Sequence, residues 1–131
     1  MKVLLVDDSV AIQKSFGALL KAVPSVDLVG FAEDVVSALA AIAANPPDLI
    51  VLDANLRGRD RGIDVLRYVR QHHSNIEAVM LSQPSRSSVR KSYVDAGALA
   101  CFDKGVEFQQ ARDFIAALAN ARSAGASELE R

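Results

Sequence analysis

The 131-residue chain is 50% apolar and 24% charged, and its formal net charge of −1 at pH 7 gives no sign of direct binding to nucleic acid or to a membrane surface. This length suits one domain with a sizeable core, and no apolar run approaches the ~20 residues of a transmembrane helix. The N-terminal apolar stretch is too short for a signal peptide and the single cysteine, Cys101, excludes an internal disulfide, so a cytoplasmic protein is expected.

Apolar runs and helical stripes alternate along the chain. Strands are predicted at residues 2–6, 26–32, 48–53, 77–82 and 98–104. Most of these runs are near-continuous, which is typical of strands buried on both faces of a parallel sheet. Apolar residues at helical spacing predict one helix after each strand. The first helix is expected to end at Pro24 and the fourth at Gly97, a suitable C-cap.

Five strand–helix units predict an α/β domain. Right-handed crossovers between parallel strands favour a flavodoxin-like, doubly wound five-stranded sheet in the order 2-1-3-4-5, with five helices. The domain is expected to span residues 1–121. Residues 122–131 are small and polar, which predicts a flexible tail or a truncated linker.

Strongly polar residues stand where four of the predicted strands end. Asp7 and Asp8 follow strand one, Asp53 ends strand three, Ser82 ends strand four and Lys104 ends strand five. In open α/β sheets the carboxyl ends of the strands form the ligand-binding edge. These side chains are therefore expected to meet in one cleft.

Three carboxylates in one cleft repel each other unless a cation compensates them. Mg²⁺ takes oxygen ligands, commonly one or two carboxylates together with waters and a phosphate. Asn55 lies two residues after Asp53 and offers a further oxygen. The pattern predicts a magnesium site at Asp7, Asp8, Asp53 and Asn55. Taken alone, each residue has a simpler interpretation; Asp8 or Ser9, for example, is equally well placed to cap the first helix.

Four segments resemble the motifs of the receiver domain of two-component response regulators, and they occur in the same order. They are LLVDDS (4–9), PDLIVLDANL (47–56), AVMLS (78–82) and DAGALACFDK (95–104). The resemblance implies that Asp53 accepts a phosphoryl group, that Lys104 pairs with the phosphoryl oxygens and that Ser82 donates a hydrogen bond to one of them. It also implies that Asp8, Asp53 and the carbonyl of Asn55 bind Mg²⁺ directly, with Asp7 acting through a water.

The resemblance also implies partners. A sensor histidine kinase or a histidine phosphotransfer protein would supply the phosphoryl group, and the surface of helix four, strand five and helix five would change on modification. Output would pass to a downstream protein target or to an effector domain, with a homodimer through that surface as an open alternative. The domain would catalyse only its own phosphorylation and slow dephosphorylation, without being a conventional enzyme.

Besides the loop after Asp53, where Arg57 replaces a common proline and Gly62 falls one residue later than usual, three positions depart from the family pattern. Cys101 stands where an aromatic residue or histidine is usual, while Phe102 is expected on the opposite face of the strand. Gly105 replaces the proline that usually follows the lysine, and Gln83 replaces a small residue beside Ser82.

Other functional classes fit the motifs less well. A phosphatase of the haloacid dehalogenase type needs a second aspartate at the position of Asn55, and a flavin module needs a phosphate-binding loop where this chain has acids. A degenerate receiver that acts as a phosphorylation-independent interaction module remains the main alternative.

Overall fold

The computed structural model describes residues 1–82 and 87–129, with side chains described at 1–82 and 89–123. The strands are β1 (Lys2–Val6), β2 (Asp27–Ala32), β3 (Leu49–Asp53), β4 (Glu77–Ser82) and β5 (Ala100–Asp103). The helices are α1 (Val10–Lys21), α2 (Val35–Ala44), α3 (Gly62–His72), α4 (Ser87–Asp95) and α5 (Phe108–Leu129), with a 3-10 turn at Arg57–Arg59.

All five strands pair in parallel, in the order β2-β1-β3-β4-β5. The predicted α/β fold class and strand order are confirmed. The chain leaves β1 in one direction to form β2 and returns past β1 to form β3, so the order reverses between β1 and β3. A crevice at the carboxyl ends of the strands is the usual binding place at such a reversal.

Successive residues of a strand pack alternately into two core layers, one on each face of the sheet. Leu4 and Val6 of β1 join the layer beneath α2 and α3, whereas Val3 and Leu5 join the layer beneath α1 and α5. Every residue of β3 is buried. The near-continuous apolar runs of β1, β3 and β4 therefore reflect burial on both faces, whereas the edge strands β2 and β5 are only partly buried.

Several element ends differ from the predicted ones. α1 ends at Lys21 with Ala22 as its C-cap, three residues before Pro24, and the N–H of Val26 donates to the carbonyl of Val23 in the turn that follows. Gly97 has a φ of 113°, the conformation expected of a residue that ends the α4 segment. α5 continues to Leu129 and so includes most of the predicted tail. The domain boundary at residue 121 stays a prediction.

None of the helices in the described ranges is long and apolar enough to span a membrane.

Candidate functional site

The turn after β1 fixes one carboxylate and leaves the next one in solvent. Asp7 is fully buried, its N–H donates to the carbonyl of Ala32 (2.8 Å), and its Oδ1 accepts from the N–H of Ser9 (2.9 Å). Ser9 is the N-cap of α1 and accepts from the N–H of Ile12. Of the two residues suggested for capping, Ser9 performs it. Asp8 is exposed at the mouth of the cleft.

Asp53, the last residue of β3, lies at the floor of the same cleft. Its Oδ1 accepts a hydrogen bond from the N–H of Asn55 at 3.2 Å, and its side chain is almost fully buried. Gly62 begins α3 directly against this strand end. A Cβ at Gly62 would stand 2.0 Å from the carbonyl oxygen of Asp53, so only glycine permits this approach.

Lys104 brings a positive charge into the cleft from the end of β5. Its N–H donates to the carbonyl of Ser82 at 2.8 Å, which fixes its backbone beside β4. Its Nζ lies 2.6 Å from Asp7 Oδ2 and 2.8 Å from Asp53 Oδ2. One buried ammonium group therefore bridges carboxylates from two different turns.

Burial and the ion pairs shift the pKa values of Asp53 and Lys104 in opposite directions. Burial raises the pKa of Asp53; the hydrogen bond from Lys104 opposes this rise and the neighbouring Asp7 adds to it, so the pKa stays above its usual value. Burial alone would lower the pKa of Lys104, but the neighbouring carboxylates of Asp53 and Asp7 outweigh it and raise the pKa. The lysine is thus held as an ammonium ion.

The cleft carries more negative charge than the lysine neutralises. Ligand oxygens of Asp7, Asp8 and Asp53 all lie within 4.8 Å of one another. Three carboxylates and one ammonium leave two negative charges. Asp7 Oδ2 is buried with the ammonium of Lys104 beside it but without a well-directed hydrogen bond. An oxygen-rich site with two excess negative charges suits a small divalent cation such as Mg²⁺.

Ser82 reaches the same edge of the sheet, but its side chain faces a different group. It is buried at the end of β4, and its Oγ lies 3.6 Å from Cys101 Sγ within hydrogen-bonding reach. The described residues thus place Asp7, Asp8, Asp53 and Lys104 together, with Ser82 beside the lysine backbone. Asn55 contributes its N–H to Asp53, and its side chain is exposed.

The departures at β5 have definite structural consequences. Cys101 packs with the layer beneath α2 and α3, and Phe102 packs with the layer beneath α1 and α5, so the predicted opposite orientation is confirmed. The N–H of Gly105 donates to Asp103 Oδ1 at 2.8 Å, a contact that proline, with no N–H, cannot make. Gln83 lies outside the described residues.

Contacts between loops were missed by the sequence reasoning. Arg57 Nη1 lies 2.7 Å from Glu33 Oε1, and Asp60 Oδ2 accepts from the N–H of Val35 at 2.9 Å. These contacts fasten the turn after Asp53 to the start of α2. Their residues lie about 25 positions apart, and nothing in local spacing marks such pairs.

Comparison with known proteins identifies the family. The model of the response regulator receiver domain matches residues 3–116, which is most of the chain. The chain belongs to the response regulator receiver family. Receiver domains generally bind Mg²⁺ and work with histidine kinases, and the acidic cluster of this receiver is a group of the kind that holds a metal.

Individual relatives agree with this assignment. This receiver is 32% identical over 97% of its length to a protein-glutamate methylesterase/protein-glutamine glutaminase of Nocardioides sp., of which it covers 31%. Among solved structures, the receiver domain of NtrX from Brucella abortus is 28% identical, with a TM-score of 0.78 over 89% of this chain and 96% of that one. The receiver domain of NarL from Mycobacterium tuberculosis shares the fold at 24% identity, with a TM-score of 0.80 over 91% and 95% of the two chains.

The chain spans about a third or less of the length of the first curated relatives it matches. The named activities of those relatives therefore belong to proteins much longer than this receiver.

Proposed function

We propose that this receiver accepts a phosphoryl group on Asp53 from a histidine kinase or a histidine phosphotransfer protein, in a reaction that depends on Mg²⁺. The modification changes the surface of α4, β5 and α5 and so controls binding of a partner. The observation that carries the proposal is the position of Lys104 Nζ, 2.8 Å from Asp53 and 2.6 Å from Asp7 in a buried cleft.

Asp53 acts as the nucleophile. A carboxylate oxygen attacks phosphorus while the nitrogen–phosphorus bond of the phosphohistidine breaks, and its electron pair stays on the imidazole nitrogen. The product is an acyl phosphate on Asp53. Because the transition state spreads negative charge over the phosphoryl oxygens, catalysis is mainly positioning and charge stabilisation.

Lys104 and Ser82 stabilise the transferred group. The ammonium of Lys104 exchanges its contact with Asp53 for the phosphoryl oxygens, and the hydroxyl of Ser82 donates to one of them. Both groups reach the edge of the sheet beside Asp53, since Ser82 ends β4 and the N–H of Lys104 donates to its carbonyl.

Asp8, Asp53 and the carbonyl of Asn55 would hold Mg²⁺ directly, with Asp7 acting mainly through a water. The cluster fits this ion because its two excess negative charges lie among carboxylate oxygens within 4.8 Å of one another. When bound, Mg²⁺ supplies compensation for the charge of the phosphoryl oxygens.

The chain's own chemistry is limited to gaining this phosphoryl group and slowly losing it. We propose no methylesterase or glutaminase activity for it, because the match covers only 31% of the relative that carries those names. Its output passes to a downstream protein or an effector domain. The receiver unit extends through residue 121, and residues 122–131 serve as a tail or linker.

The proposal is tested by incubating the purified chain with acetyl phosphate and Mg²⁺ and measuring its intact mass. One phosphoryl group is expected on the wild type and none on Asp53→Asn, while Asp27→Asn, an exposed acid at the start of β2, stays labelled. Chelation of Mg²⁺ should also prevent labelling. Labelling of Asp53→Asn contradicts the assignment. Beryllofluoride, which mimics a bound phosphoryl group, provides a second readout. If the wild type neither becomes labelled nor binds beryllofluoride with Mg²⁺, the chain is instead a degenerate receiver that acts as a phosphorylation-independent interaction module.

A further inference from the structure

Helix α4 has few apolar anchors. Of its side chains described at 89–95, none is fully buried, and Val89 and Val94 expose 37% and 48% of their surface. By contrast α1, α2 and α3 each bury at least two residues. The half-buried Tyr93 is the main apolar contact of α4 with the core. With so few buried apolar contacts among its described side chains, α4 depends more on its polar contacts than the other helices do.

Arg90 makes those polar contacts. Its Nη2 lies 2.7 Å from Glu107 Oε1, just before α5, and its Nη1 donates to the carbonyl of Cys101 in β5 at 3.4 Å. The guanidinium of Arg90 and the N–H of Asp103 hold the pKa of Glu107 below its usual range, so the pair is charged at neutral pH. One side chain of α4 thus binds both β5 and the start of α5.

Glu107 also links the ion pair to the backbone next to Lys104. The same Oε1 accepts from the N–H of Asp103 at 2.8 Å, and the Glu107 carbonyl accepts from the N–H of Ala111 at the start of α5. Asp103 is the residue before Lys104. A backbone shift that accompanied a movement of Lys104 would therefore act directly on the contact between Asp103 and Glu107.

Ser82 provides a second connection. Its Oγ lies 3.6 Å from Cys101 Sγ, and the carbonyl of Cys101 is the acceptor for Arg90. If Ser82 turns toward a modified Asp53, it leaves Cys101. Both groups that we assign to phosphoryl binding are thus separated from the ion pair of Arg90 and Glu107 by one intervening residue, Asp103 for Lys104 and Cys101 for Ser82.

We propose that Arg90 and Glu107 are positioning residues that hold α4 against β5 and the turn after it while Asp53 is unmodified, so that modification must work against this pair. The inference rests on the proposed function. Because linkage is reciprocal, a contact that favours the unmodified arrangement also weakens binding of a phosphoryl group. Removing the contact should strengthen that binding.

The test measures the affinity of the whole chain for beryllofluoride, a phosphoryl mimic, at fixed Mg²⁺ by titration calorimetry. Glu107→Gln keeps an acceptor for the N–H of Asp103 but removes the charge, and Arg90→Gln removes the other partner. Each variant should bind about two- to fivefold more tightly than the wild type, as expected for a partly exposed ion pair. The double variant should bind no more tightly than either single one, because both changes break the same contact.

Asp113→Asn is the matched control. It removes one negative charge from an exposed ion pair with Arg112, also on α5, and should leave the affinity unchanged. Urea unfolding shows which variants are folded. Unchanged or weaker mimic binding by folded Glu107→Gln and Arg90→Gln overturns the inference alone. A wild type that does not bind the mimic overturns the proposed function and this inference with it.

Discussion

The ion pairs of the cleft and the ion pair of α4 have nearly the same length but different surroundings. Lys104 Nζ lies 2.6 and 2.8 Å from Asp7 and Asp53, with all three side chains buried at the ends of sheet strands. Arg90 and Glu107 are 2.7 Å apart, with about a third of each side chain exposed. Distance alone does not distinguish the two regions.

Burial determines how much each ion pair contributes to the stability of the fold. In the cleft, low dielectric strengthens the attraction, but each charge has lost its hydration, so removing one partner leaves a buried charge uncompensated. Near α4, water already compensates both ions and the pair contributes little. The cleft therefore resists rearrangement, while the attachment of α4 changes at small cost, which suits a fixed reaction site and a movable binding surface.

The test with the largest expected effect on stability removes the ammonium group of Lys104 from the cleft. Lys104→Met keeps much of the side-chain volume but leaves Asp7 and Asp53 facing each other without compensation, so we expect a loss of about 3–5 kcal/mol in the free energy of unfolding without metal. Urea unfolding in a chelator measures it. Mg²⁺ should restore part of the loss, because the cation now meets three uncompensated carboxylates.

Lys14→Met serves as the control for that experiment. Lys14 is exposed on α1, so its removal should change the stability by no more than about 0.5 kcal/mol. Equal effects of the two substitutions would mean that burial does not separate the two kinds of charge.

The second test concerns the backbone that supports the carboxylate of β3. In Gly62→Ala the new Cβ would lie 2.0 Å from the Asp53 carbonyl oxygen, so the end of β3 or the start of α3 must shift. We expect a loss of about 2–3 kcal/mol from overpacking, together with weaker labelling of Asp53.

Gly30→Ala is the matched substitution, because its new Cβ would meet only a leucine methyl at 3.8 Å. Thermal unfolding of both variants measures the contrast. Similar stability of the two would show that the turn after β3 adapts and is not the rigid support inferred for it.

The cleft was more predictable from sequence than the attachment of α4, for a physical reason. Asp7, Asp53 and Lys104 lie at or directly after the carboxyl ends of β1, β3 and β5, so the strand order alone brings them to one edge. Their roles come from resemblance, and their distances come from packing that no sequence pattern expresses. Asp103 stands at the same strand end, as the last residue of β5, and only the structure gives it a different partner in Gly105.

The contacts of α4 had no comparable signal. Arg90 and Glu107 are ordinary surface residues in the sequence, separated by a strand and two turns. Their pairing depends on where α4 sits against β5, which weak apolar periodicity did not determine. The same holds for Ser82 and Cys101, whose contact follows from the pairing of β4 with β5.

A third, smaller test uses the exposed acid of the cleft. Asp8→Asn removes one of three mutually repelling carboxylates without altering the core, so in a chelator the variant should be more stable by a few tenths to about 1 kcal/mol. In Mg²⁺ the order should reverse, because the wild type gains more from metal binding. Paired melting curves measure both states, and an unchanged order in Mg²⁺ argues against Asp8 as a ligand.

The smallest expected effect is the pH dependence of the partly exposed ion pair of Arg90 and Glu107. The pKa of Glu107 is lowered in the folded chain, first by Arg90 and then by the N–H of Asp103. A carboxyl whose folded pKa is lowered stabilises the fold above its unfolded pKa of about 4.3, and this stability is lost as the pH falls through the folded pKa. The stability difference between the wild type and Glu107→Gln should therefore be constant from pH 7 to about 5 and shrink below that range.

The same comparison in an Arg90→Gln background separates the two causes. The ion pair is absent there, so the pH-dependent difference made by Glu107→Gln should become smaller, and what remains reports the hydrogen bond from Asp103. Urea unfolding from pH 7 to 3 of the wild type, the two single variants and the double variant measures this difference. Any contribution from titration of Asp7, Asp8 and Asp53 cancels in the comparison, because all four proteins contain them. A pH-dependent difference of equal size in both backgrounds would mean that Arg90 does not set the charge of Glu107, and that α4 is attached to the β5 turn by some other contact.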